Sequence, residues 1–196
     1  MRSDDSLLLR VHVTPDAVTH SSREVRARFE TGVQALKATL AMLEPLPKAL
    51  VSRWLRTDDG HVIINASQHA FTWEKTDFRG RSWYGVAWVR LSWLLQNPIR
   101  YLTPIGILIA HKIGWEQTPQ PQNQPWRDFV QGVLAGFKAG YGRSPSSQHH
   151  PIHYLAEGIA WHLVDSRQFN IENPQLQKLL RRTVFSEDWY RWLDAP

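Results

Sequence analysis

The chain has 196 residues, 42% of them apolar and 21% charged, and a formal net charge of +5. This composition excludes wholesale disorder and a collagen-like repeat, and the length suits one domain over residues 1–196, since a domain takes ~100–200 residues. The absence of cysteine removes disulfide staples, thiolate catalysis, zinc fingers and iron–sulfur clusters.

In chain order, Leu7 to Val13 is apolar and β-branched and ends at Pro15-Asp16, which predicts a short strand over 6–13. The apolar run that ends at Leu9 is too short for a signal h-region, so a cytoplasmic protein is expected. Ser21 and Glu24 have capping-box spacing. Val25, Phe29, Val33, Leu36, Leu40 and Leu43 then recur at steps of three and four, predicting one helix over 21–44 that Pro45 and Pro47 end.

A second, shorter helix follows at 48–56, and Asp58-Asp59-Gly60 forms a turn. Val62 to Ile64, Phe71 and Trp73 read as strand. Arg79 to Ser82 is the next turn. After it Tyr84, Trp88, Leu91 and Leu95 step by four, three and four, predicting a helix closed by Asn97-Pro98; the competing reading keeps 82–89 as a strand paired with 69–75. Pro104 is expected to open another helix through His111 to Gly114.

Residues 117–125 are polar and proline-rich, a Pro/Gln-rich loop. Trp126 to Phe137 then carry a helical apolar pattern, with Gly132, Gly136 and Gly140 four apart. Because each helical glycine costs ~1 kcal/mol against alanine, their spacing points to another backbone approaching closely. Residues 142–149 read as a Gly/Ser/Pro loop. Pro151 opens a helix through Val164, Pro174 another through Leu180, and Ser186 a last one carrying Trp189, Tyr190 and Trp192. The fold class expected is mostly α (α+β): a compact helical domain with a small β-strand or hairpin element in the N-terminal half.

Two groups of residues carry candidate chemistry. Between residues 75 and 115 six cations face one acid, Asp77, an excess equal to that of the whole chain, among Phe78, Trp83, Tyr84, Trp88, Trp93, Tyr101 and Trp115. Arginine binds phosphate or carboxylate in a bidentate way, and aromatic rings stack on unpaired bases. Trp, Tyr and Arg also dominate protein-interface hot spots. The remaining readings are a tryptophan core with arginines at its rim and a peripheral membrane surface, which is disfavoured. Arg79, Arg81, Trp83, Trp88, Arg90 and Arg100 are the candidate partner-binding residues.

The second group is the histidine-rich segment 148–157. On a helix His153 and Glu157 share a face, and His149 stands at its edge, a set able to hold a divalent metal. The bland alternative is a solvated loop and an ordinary helical pair. His-Glu-x-x-His, a P-loop, a Gly-x-Ser-x-Gly elbow and a dinucleotide fingerprint are all missing. The expectation is a non-enzymatic binding or accessory subunit without a cofactor. It docks through its basic, Trp-rich surface onto a larger protein or nucleoprotein assembly, with nucleic acid as a candidate partner. The alternative is a metal-dependent enzyme using His149, His153 and Glu157, with Asp165 as base.

Overall fold

A computed structural model describes residues 7–116 and 123–193. Its first half runs β1 (Val11–Val13), α1 (Arg23–Arg28), α2 (Gly32–Leu43), α3 (Lys48–Leu55), β2 (His61–Asn65), β3 (Ala70–Thr72), β4 (Thr76–Phe78), β5 (Arg81–Trp83) and β6 (Val86–Arg90). The rest is helical: α4 (Leu91–Gln96), α5 (Pro98–Lys112), α6 (Gln124–Lys138), α7 (Pro145–His149), α8 (Pro151–Glu172), α9 (Pro174–Arg182) and α10 (Glu187–Leu193). This is a mostly-α, α+β fold with a small mixed sheet.

The main sheet has the order β1-β2-β6-β3, with β1, β2 and β6 parallel and β3 antiparallel on β6. Side chains alternate between its faces. Val11, Val62, Ile64, Ala87 and Val89 share one face and enter the hydrophobic core, where α5 and α8 pack on each other. His12, Ile63 and Trp88 stand in register on the opposite face, beside His61 and Val86. Ile63 and Val86 are fully buried there. The β4–β5 hairpin lies over that face, with the Phe78 ring edge-on to Trp88 at 6.2 Å. Its two-residue turn holds Arg79 at φ 50° and Gly80 at φ 75°. Positive φ at both positions is the geometry that follows the strand twist.

Several local expectations change once tertiary contacts form. Residues 21–44 make two helices rather than one, because Thr31 takes an extended conformation and caps α2 in a reciprocal box with Gln34. Val33, on the predicted stripe, is therefore exposed. Residues 86–90 are strand and only 91–96 are helix, because β6 has a pairing partner on both sides; its antiparallel pairing with β3 matches the competing strand reading. Helix α5 starts at Pro98, under an Asn97 cap, and Pro104 lies inside it. Of the Pro/Gln-rich loop, residues 117–122 fall outside the described residues, while Gln124 and Pro125 begin α6 under Asn123. The 142–149 loop contains the short helix α7, boxed by Ser144 and Ser147.

Helix α8 bends at Asp165 (φ −153°, ψ 85°), whose carboxylate accepts from the Arg167 and Gln168 backbone N–H groups. The three spaced glycines do not mark a close approach of another helix's backbone. A Cβ at Gly132 or Gly136 would meet the side chains of Leu179 or Tyr154, whereas one at Gly106 on α5 would meet the backbone of Ala156 on α8.

Candidate docking surface

The sheet face under the hairpin positions most of the candidate residues. Trp83, on β5, points inward and stacks on two imidazoles, 4.3 Å from His12 and 4.2 Å from His61 between centroids. His12 Nε2 and His61 Nδ1 are 3.1 Å apart. His61 Nε2 lies 2.9 Å from the Asp58 carbonyl and 3.2 Å from Arg10 Nη1, so it faces an acceptor and a donor together. Both rings are held neutral. Burial, then the neighbouring His61, Arg79 and Arg10, push His12 down to about 4. Burial, with Arg10 and Lys112, also lowers His61.

Beneath this pair two cations are buried. Arg10 donates to the carbonyls of Thr57 and Asp58. Lys112 pairs with Asp59 at 2.9 Å and donates to Thr57 Oγ1 at 2.8 Å. The Asp58-Asp59-Gly60 turn thus wraps two positive side chains, and Trp54 Nε1 donates to the Gly60 carbonyl at 2.8 Å. None of His12, His61 and Arg10 stands out by composition. The available signal was the polar–apolar alternation of Arg10-Val11-His12-Val13, whereas His61 only precedes an apolar run.

The four candidate arginines are exposed. Arg79 donates to the Val13 carbonyl at 2.7 Å and lies over the Phe78 ring. Arg100, on α5, covers the Trp93 ring at 3.8 Å. Arg81 and Arg90 have no side-chain hydrogen bond among the described residues, and none of the four pairs with a carboxylate there. His69 joins Arg90 to Arg100. Its Nδ1 accepts from the Arg90 backbone N–H at 3.4 Å, and its ring tilts against Trp93, the indole that Arg100 covers. Burial and these two guanidinium charges push His69 down to about 4.

Arg79, Arg81, Trp83, Trp88 and Arg90 therefore belong to one layer, the hairpin and the strand face beneath it, and Arg100 borders it through His69. The tryptophans are less accessible than the arginines: Trp83, Trp88 and Trp93 are half-buried, Tyr101 and Trp115 are buried, and Trp73 and Tyr84 are exposed. Trp73 donates its indole N–H to His111 Nε2 at 3.0 Å and lies where a Cβ on Gly85 would be. The layer can present guanidinium donors to carboxylate or phosphate, framed by aromatic edges.

The histidine-rich segment is divided between two helices. His149 ends α7, while His153 and Glu157 lie in the first turns of α8. Glu157 Oε2 faces the backbone N–H groups of Arg143 and Ser144 at 3.3 and 3.4 Å. Asp165 caps the second half of α8. Among the described residues no three His, Asp or Glu side chains stand close enough to hold a metal ion. Nor is any described helix long and apolar enough to cross a membrane. No family model matches the chain, and no curated protein or solved structure matches it either.

Proposed function

We propose that the protein is a binding or accessory subunit that docks through its hairpin layer onto an anionic surface of a larger protein or nucleoprotein assembly. The observation that carries this reading is the exposure of Arg79, Arg81, Arg90 and Arg100 with no carboxylate partner among the described residues. A guanidinium left without a counter-charge keeps its bidentate donors for phosphate or carboxylate. The half-buried Trp83 and Trp88 supply rigid aromatic area beside them, a combination common in interface hot spots.

Retention on immobilised heparin tests the reading. Arg79→Ala, Arg81→Ala and Arg90→Ala combined should elute at markedly lower salt than the parent chain, and unchanged elution sinks it. For single-stranded nucleic acid, affinity should fall steeply with salt, and each lost phosphate contact should lower the log–log slope by about one unit. A protein partner instead gives binding that is less sensitive to salt and lost when an exposed tryptophan is replaced.

A further inference from the structure

The β4–β5 hairpin is a two-stranded sheet of its own, and no backbone ladder joins it to the four strands beneath. A lone two-stranded hairpin is marginally stable in water, so this one depends on its seat. Both of its ends are fixed. Thr72 pairs with Val86, and the Tyr84 and Gly85 carbonyls accept from the Gly60 and His61 backbone N–H groups at 2.9 and 3.0 Å. Between these anchors, among the described residues, the one hydrogen bond from residues 76–83 to the main sheet is Arg79 to the Val13 carbonyl. The rest of the seat is aromatic: Trp83 on His12 and His61, and Phe78 against His12 and Trp88.

That seat is built on titratable rings, and charged groups reach them from the elements around. β1 contributes Arg10, the hairpin Arg79, and α5 Lys112. The turn before β2 supplies one acid, Asp59, which Lys112 already holds at 2.9 Å. On the hairpin itself Asp77 bonds Ser82 and stands 4.0 Å from Lys75, with both side chains in water. A proton taken up by either ring therefore adds a positive charge beside Arg10, Arg79 and Lys112. Stacking on indole favours a cation. Burial and the like charges oppose it, and they push His12 down to about 4.

We infer that the hairpin is an acid-released flap, closed over the sheet while the His12–His61 pair is neutral and lifted off when the pair takes up a proton. Lifting removes Phe78, Arg79 and Trp83 from His12, so the ring regains water and loses one like charge. The proton thus binds the open form more tightly, and acid favours opening. With His12 at about 4 when covered and about 6.5 when free, the open-to-closed ratio rises by up to about twentyfold between about pH 7 and about pH 5. The consequence rests on the docking reading: the lifted hairpin carries Arg79 and Arg81 away from Arg90 and Arg100, so acid splits the docking layer.

Hydrogen exchange of the full chain, read by mass spectrometry and corrected for the intrinsic pH dependence of amide exchange, tests the flap without any partner. Protection over residues 74–83 should fall by about tenfold or more from about pH 7 to about pH 5, while α5 and α8 keep theirs. His12→Gln and His12→Phe both remove the titrating ring, and the second keeps a ring under Trp83. Each should abolish most of that fall. Far-ultraviolet circular dichroism checks that each variant keeps its helices. Constant hairpin protection, a fall shared equally by α5, or an undiminished fall in both variants overturns the flap. Any of these leaves heparin retention at neutral pH as it was, whereas unchanged elution of the arginine variant sinks the docking surface and leaves the flap standing.

Discussion

The indole of Trp83 and the imidazole of His61 lie face to face, 12° from parallel with centroids 4.2 Å apart. With the Trp83–His12 stack and the Phe78–Trp88 edge contact, this contact seats the hairpin carrying Arg79 and Arg81 on the sheet. The surface proposed for docking rests on rings that the fold keeps uncharged. His12 shares the same indole and hydrogen-bonds to His61, so a second proton on the pair would leave two donors facing each other beside Arg10 and Arg79.

Stability should fall on mild acidification. A histidine whose folded value is depressed binds fewer protons folded than unfolded, so its contribution is complete above the unfolded value of about 6.5 and is lost as pH falls toward the folded value. For His12 that window closes at about 4. His61, His69, His111 and His162 are all lowered with burial as the largest cause, and they add in the same direction. Urea midpoints should decline between about pH 7 and about pH 5. His12→Gln should make the decline shallower, and a pH-independent midpoint would refute the neutral pair.

Lys112 holds the turn at the base of the sheet. Its side chain is 6% exposed and pairs with Asp59, while a Cβ at Gly60 would stand 2.6 Å from Lys112 Cε. Removing one partner of a buried pair leaves the other with an uncompensated charge. Lys112→Ala should cost about 2–4 kcal/mol in chemical denaturation, below the upper end for fully buried pairs because Asp59 keeps some contact with water. Gly60→Ala adds strain at φ 87° as well as the clash and should also destabilise. A loss under about 0.5 kcal/mol for Lys112→Ala, the range of an ordinary surface substitution, would contradict this account.

Gly106→Ala and Gly132→Ala should move stability in different directions, although both glycines are inside helices. At Gly106 the new Cβ would lie 2.4 Å from the Ala156 carbonyl oxygen and 2.9 Å from its Cα, so α5 and α8 would have to separate. A loss of about 1–3 kcal/mol is expected. At Gly132 the nearest atom is Leu179 Cδ2, the far end of a side chain that can rotate. There the gain in helix propensity of up to ~1 kcal/mol should leave the variant neutral or more stable. Urea denaturation of the two variants side by side gives the comparison, and equal losses would remove the distinction between backbone and side-chain approach.

Signals carried within a few residues were legible in the sequence. Proline at a helix start marked α8 and α9, the break at Asp58-Asp59-Gly60 was recognisable, and of the turn expected over Arg79 to Ser82 the first two residues turn while Arg81 and Ser82 open β5. The same holds for the concentration of arginine and tryptophan in one stretch, since composition survives folding unchanged. What escaped depended on partners far along the chain. Residues 86–90 have helical spacing yet become strand because β2 and β3 satisfy their backbone on both edges. His12 and His61, 49 residues apart, meet only when β1 and β2 align. Glu157 and Glu172 share a cavity because Asp165 bends the helix between them. A cap or a turn is satisfied by atoms the local chain already holds, whereas a ladder, a ring stack or a cavity has no counterpart until distant segments pack.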